Sequence, residues 1–316
     1  GSYNTFIGAE AGRGGTTSAP FSSGQYGTAV GYQAGYSFTT TAVTAFGYQA
    51  AYTSTTGGGT HIGYRAGYSQ TSGNSNTSVG DNALYSNQTN VYNVAIGVSA
   101  LYSLAGSSLD ANVAVGYEAG RNAQCDTGTV MIGYRAGYRV RGHSSISIGY
   151  EAARYAEGGS SVNIGRDAAS GVGNHTATGV AIGYQAAMRI ASGSTAGYTA
   201  VGYHAGFQMS GSNDFFGYQA GKGSVTSAPY GSGLYNVGLG TNALLNLSTG
   251  EGNVAVGRNA GDALTTTSNT VLIGYDAGTS INSTDANGTV AIGYAAGAAI
   301  TSGRYNTAIG HNALDA

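Results

Sequence analysis

The chain has 316 residues, with 56 Gly, 25 Tyr and no Trp, and its 12 Lys and Arg against 14 Asp and Glu leave a net charge of −2. That balance excludes a basic field able to hold a nucleic acid backbone. No apolar run reaches the length a membrane-spanning helix needs, and one cysteine, Cys125, excludes an intrachain disulfide or a cysteine-built metal site.

The chain opens inside a motif, Gly1-Ser-Tyr-Asn-Thr-Phe-Ile-Gly8, which reads as a processed product or a segment of a longer protein. Gly8 is the first of eighteen glycines that follow Ile, Val, Leu or Phe, and the last is Gly310. Steps between them are 15 to 19 residues, with two of 23, and they cover residues 1–316 as a single repeat domain. Positions are counted from this anchor glycine. Position −3 is Val, Thr or Ile in seventeen copies (Asp214 is the exception), position +3 is Ala in all eighteen, and position +4 is always Gly, Ala or Leu.

Positions −3 and −1 lie two apart and share one face of a short strand, and β-branched residues suit a pleated, half-buried surface. The residue between them, most often Ala, points to the other face, where something packs closely. Glycine ends the strand with a bend or a positive φ, the alanine marks a tight spot, and Ser, Thr and Asn supply turns. The anchors Ile132, Gly133 and Ala136, Ile182, Gly183 and Ala186, and Ile292, Gly293 and Ala296 show the pattern most clearly. The expected fold is all-β: a parallel β-solenoid or β-roll of about 18 coils of 15–19 residues. A hexapeptide β-helix fits less well, because the twelve residues after each motif do not repeat it. So little apolar material per coil favours burial against other chains, with position −2 as the close-contact face and three chains about an axis as the simplest solution.

The two long steps contain longer lateral loops, near 13–26 and 222–235, where Thr17-Ser-Ala-Pro20 recurs as Thr226-Ser-Ala-Pro229. Pro20, Phe21, Pro229 and Tyr230 are candidate binding-loop residues; a tolerated insertion is the plainer reading. Eleven tyrosines directly follow the anchor: Tyr32, Tyr48, Tyr64, Tyr117, Tyr134, Tyr150, Tyr184, Tyr203, Tyr218, Tyr275 and Tyr294. Equal positions stack in a solenoid, so these form a ladder, either an exposed strip for glycans or another fibre or packing at the coil edge and chain seam.

The remaining candidates are weaker. His61 and Asn163 occupy position −2 and would ring an axis if that face met other chains; partnered polar residues are the plainer reading. The five histidines have no ligand spacing, Gly238-Leu-Gly240 lacks the strand–helix context of a dinucleotide fingerprint, and the scattered acids Asp81 and Glu118 set up no acid–base pair. Nothing calls for a cofactor, a metal or an enzyme.

Asn93-Val-Ala-Ile-Gly97, Asn112-Val-Ala-Val-Gly116, Asn253-Val-Ala-Val-Gly257 and Asn306-Thr-Ala-Ile-Gly310 resemble the head repeats of trimeric autotransporter adhesins of the YadA type. The stretches at Asn82–Asn87 and Asn306–Leu314 are similar to repeats of bacteriophage tail fibres. The resemblance covers the full chain, although the coil steps here are longer. It implies a left-handed, homotrimeric β-roll at the cell surface or on a virion, an extracellular rod that attaches to a glycan or protein receptor without inserting into a membrane. Both ends lie in phase with the repeat and carry no polar cap, so a filament stacked end to end is the alternative; an ice-binding solenoid is a remote one, because no regular Thr-x-Thr array exists.

Overall fold

The computed structural model describes residues 3–14, 24–39, 42–55, 58–104, 110–125, 127–142, 144–156, 160–171, 178–189, 197–209, 211–223 and 231–315, with backbone only at 125 and 142. It contains two compact units, Gly1–Arg154 and Tyr155–Ala316. Each unit is an all-β parallel solenoid, and no α-helix occurs among the described residues.

In the first unit nine strands of three or four residues run from Thr5–Ile7 to Ile146–Ile148; in the second, nine run from Val162–Ile164 to Thr307–Ile309. Within each unit, successive strands pair in parallel and equal positions face each other: Val113 opposite Val130, Ala114 opposite Met131, Val115 opposite Ile132. The same register holds late in the second unit, with Val254, Ala255 and Val256 opposite Val271, Leu272 and Ile273. A short parallel pair, Gln124–Cys125 with Arg141–Gly142, and one 3-10 turn at Thr284–Ala286 decorate the coils.

The anchor glycines explain why the motif is invariant. They have φ between +127° and +142°, a region L side chains rarely adopt. They also stack: a Cβ on Gly257 would stand 2.3 Å from the carbonyl oxygen of Gly274, and one on Gly133 would stand 2.4 Å from that of Gly149.

The interior differs from the expected arrangement. Position −2 does not face other chains. Ala95, Ala114, Met131, Ala181, Ala255 and Leu272 are fully buried inside their own coil, while positions −3 and −1 point outward, with Ile132 38%, Leu239 49% and Phe46 56% exposed. The physical reason is the narrow bore. Position −2 meets the alanine of position +3, fully buried at Ala66, Ala136 and Ala277, and a third inward column at position +7: Phe38, Leu104, Val140, Leu247, Leu264 and Ile281. An Ala–Ala rung buries only two methyl groups, roughly 2 kcal/mol of transfer free energy, so the interstrand ladder and the +7 side chains supply much of the remainder.

Two further residues per coil adopt left-handed backbone. Position +2 does so throughout, as at Arg65, Glu118, Gln185 and Asn259, with φ of 52–56°. Position +4 does so as glycine, or as Ala51, Leu84, Leu101, Ala187 and Leu244, with φ of 46–53°. No β-branched residue stands at either position in any copy, as the sterics of that region require.

Positions −2 and +4 trade volume. Wherever −2 is large, +4 of the same coil is glycine: Phe6 with Gly12, His61 with Gly67, Met131 with Gly137, Phe215 with Gly221, Leu272 with Gly278. A Cβ on Gly221 would lie 2.2 Å from the Phe215 ring, and one on Gly67 would lie 2.3 Å from the His61 ring. Wherever +4 is Leu, −2 is small: Ser78 with Leu84, Ala95 with Leu101, Gly238 with Leu244, Ala308 with Leu314.

Candidate functional site

Position −4 leads into each strand, and there the asparagines of the Asn-Val-Ala motif are buried. The Asn76 Oδ1 accepts the backbone N–H of Asn93 (2.8 Å), Asn93 Oδ1 that of Asn112 (2.9 Å), and Asn112 Oδ1 that of Thr129 (2.9 Å). In the second unit Asn213, Asn236 and Asn253 repeat the arrangement, each accepting from the next coil at 3.0 Å. These side chains satisfy a backbone donor at each strand entry. Their role is structural, and only the sequence resemblance pointed to them.

The outer surface has two candidate features. The first is the sheet face of positions −3 and −1. Along the first unit it carries Thr5, Thr28, Thr44, Thr60 and Thr77, then Val94, Val113, Val130 and Ile146, beside an unbroken column from Ile7 to Ile148. In the second unit both columns are again β-branched or apolar, apart from Asp214. The Thr column has aliphatic residues as its neighbour rather than a second Thr column. Ile132 is exposed, while Ile182 and Ile292 are half-buried on this face. Gly133, Gly183 and Gly293 take φ of 132–137° beside it, and Ala136, Ala186 and Ala296 are buried behind it.

The second feature is the set of aromatic columns. The position +1 tyrosines stand at the sheet corner, 36–51% exposed. Tyr32, Tyr48 and Tyr64 stack at 5.3 and 5.2 Å; Tyr117, Tyr134 and Tyr150 at 5.2 and 4.9 Å. In the second unit Tyr184, Tyr203 and Tyr218 stack at 5.1 Å, and Tyr275, Tyr294 and His311 at 5.4 and 4.9 Å. A parallel column at position +5 runs through Tyr36, Tyr52, Tyr68, Tyr85 and Tyr102. Inner rungs hide their ring faces against one another and show edges and hydroxyls. A sugar ring seeking an aromatic face therefore finds one only where a column stops, as at Tyr64 before Asp81 or Tyr218 before Thr241.

Between the two columns lies position +2, a polar ladder. Glu10, Gln33, Gln49 and Arg65 are linked in sequence, Gln33 donating to Glu10 (2.6 Å), Gln49 to Gln33 (2.8 Å) and Arg65 to Gln49 (3.0 Å). Glu118 is not an isolated acid: its carboxylate is buried between Arg121 (3.0 Å) and Arg135 (2.7 Å). The Arg65 and Arg135 guanidiniums also lie within 5.1–5.7 Å of Tyr64, Tyr68, Tyr134 and Tyr138 ring centres, within cation–π range.

His61 and Asn163 lie within their own coils, so neither faces an axis between chains. The His61 Nδ1 is 2.8 Å from Ser78 Oγ, and burial pushes its pKa down to about 4. Half-buried His204 stacks on Tyr203 at 4.1 Å, with Nε2 2.9 Å from Gln185 Oε1, and burial also lowers its pKa. Among the described residues no group of three or more His, Cys, Asp or Glu side chains is placed to hold a metal ion, and no helix is long and apolar enough to cross a membrane. Pro20, Phe21, Pro229 and Tyr230 lie outside the described residues. No family model, curated protein or solved structure matches the chain.

Proposed function

We propose that this chain is a non-enzymatic structural rod of an extracellular attachment fibre: a homotrimeric, left-handed β-roll that meets a glycan or protein receptor on a surface. The observation that carries the reading is the outward aliphatic face. In each unit, every coil offers a β-branched or apolar pair at −3 and −1, Asp214 apart, and leaves much of it in water. Contiguous apolar strips of this kind mark association surfaces. The strip repeats at the pitch of the coils, so a second and third copy in register would cover it rung by rung, with the corner tyrosines as an amphipathic rim. The surface is otherwise rich in Ser, Thr, Asn and Tyr and poor in charge, as extracellular fibres often are. The hand of the coil and the number of chains follow the sequence resemblance.

Light scattering on the purified chain should give three times 31.4 kDa, and replacing Ile132 and Ile148 together with Lys should raise the dissociation constant at least tenfold without changing the circular dichroism of the subunit. A monodisperse wild-type monomer at micromolar concentration would end the reading.

A further inference from the structure

We propose that the position +1 tyrosine columns are sites of oxidative cross-linking, in which successive coils are joined through dityrosine. The inference does not depend on the attachment reading.

Three observations carry it. The rings are stacked, not merely near: Tyr203 lies 5.1 Å from both Tyr184 and Tyr218, at interplanar angles of 9° and 8°. The parallel register therefore keeps equal ring positions of successive phenols at about the stacking distance, so that a tilt of the exposed rings brings ortho carbon to ortho carbon. The phenol edges are wet, with Tyr203 40% and Tyr218 49% exposed, so an oxidant reaches them and water takes the proton. Finally, the columns have defined ends, because Asp81, Val98, Thr241 and Arg258 replace tyrosine at the same position.

The oxidant is a peroxide acting through a haem peroxidase. One electron and one proton leave each of two neighbouring phenols, and the two phenoxyl radicals join ortho carbon to ortho carbon. The ring hydrogens at the new bond then move to the oxygens and restore both hydroxyls. Two phenols and one hydrogen peroxide thus give one biphenol and two waters. Holding both radicals on adjacent rungs replaces a bimolecular encounter by an intramolecular one.

The rungs are not equal. At position +5, guanidiniums from Arg13, Arg65, Arg121 and Arg135 lie against Tyr36, Tyr68, Tyr102 and Tyr138, and burial raises the pKa of Tyr52. At position +1, guanidiniums lie over Tyr48, Tyr64, Tyr134, Tyr184 and Tyr275. A guanidinium over the ring opposes loss of an electron, and the raised pKa opposes loss of the proton. The Tyr203–Tyr218 pair has no guanidinium over either ring among the described residues, so it reacts first.

The full chain should be treated with a haem peroxidase and hydrogen peroxide, and its peptides mapped by mass spectrometry. The expected result is blue dityrosine fluorescence and cross-linked peptides, each lighter by two hydrogens, that join Tyr203 to Tyr218 and Tyr184 to Tyr203. The melting temperature should rise by several degrees, because the link restricts the unfolded chain. Tyr203→Phe keeps the ring in the stack and removes the phenol; it should abolish both peptides and leave Tyr134–Tyr150 intact. Cross-links found only between separate molecules, or only between tyrosines of different columns, or no dityrosine at all, would overturn the proposal.

Discussion

The coils from Ser54 to Asn87 and those from Leu247 to Ile281 share the same frame and have opposite interiors. Both have the anchor glycine, the buried alanine and the outward β-branched pair. In the first unit the bore is filled by Ser54, His61, Gln70, Ser78 and Asn87, all buried. In the second it is filled by Leu247, Ala255, Leu264, Leu272 and Ile281. The polar version is held by hydrogen bonds, His61 to Ser78, Gln70 to the carbonyl of Gly73, Asn87 Nδ2 to the carbonyl of Asn90 at 3.0 Å, and Asn76 Nδ2 to the same carbonyl at 2.8 Å, while His61 Nε2 and Gln70 Oε1 are buried without a partner among the described residues. The frame is thus set by backbone and small residues, and the bore accepts either filling if volume and hydrogen bonds close. The two fillings should fail in different ways.

The largest difference is expected from cavity formation. Leu272→Ala should cost about 4 kcal/mol in denaturant unfolding, whereas Ser78→Ala should cost about 1 kcal/mol; equal losses would break the comparison. Volume trading sharpens it. Gly278→Ala alone should cost about 3 kcal/mol, since its Cβ would stand 2.8 Å from Leu272, but only about 2 kcal/mol in the Leu272→Ala background, where the backbone strain and a 3.0 Å approach to Ile281 remain.

Acid comes next. His61 is neutral in the fold down to about pH 4, whereas in the unfolded chain it takes a proton from about pH 6.5 downward. The unfolded state therefore binds more protons in that window. The stability His61 confers is complete above pH 6.5 and falls by about 3 kcal/mol as pH drops to 4. Hydrogen exchange should show coils 54–87 losing protection between these limits while coils 247–281 keep it, and His61→Leu should abolish the difference.

The smallest effect separates two asparagines. Asn253 uses both ends of its amide, Oδ1 for the N–H of Thr270 and Nδ2 for the carbonyl of Thr267 at 2.8 Å. Asn93 Nδ2 is buried without a partner among the described residues. Asn253→Ala should cost about 2 kcal/mol and Asn93→Ala about 1 kcal/mol, measured as differences in unfolding midpoint.

The strand, the glycine and the alanine were legible in the sequence because their constraint comes from backbone, which every copy shares. The orientation of the strand was not. Alternation puts −3 and −1 on one side but does not say which side is the bore. Ala is the commonest residue between them, and a small side chain fits a narrow bore as well as it fits a close approach by another chain. The +7 column escaped because its members change class from Phe38 through Ser54 and Gln70 to Leu104. The left-handed residues at +2 were visible only as an absence of β-branched side chains, and the role of position −4 only through the resemblance.

The −2/+4 trade also restricts how the coils follow one another. Met131 fills space that a Cβ on Gly120, at +4 of the preceding coil, would enter, and Leu272 does the same above Gly261. Each described-strand copy that follows a Leu at +4 has Ala at −2: Ala95 after Leu84, Ala114 after Leu101, Ala255 after Leu244. The coils therefore obey a grammar of neighbours. A chain that grows by duplicating its own segments, as the matching Thr-Ser-Ala-Pro stretches 209 residues apart suggest, keeps its bore filled when whole runs are copied. Single coils shuffled at random would leave voids or clashes at their joints.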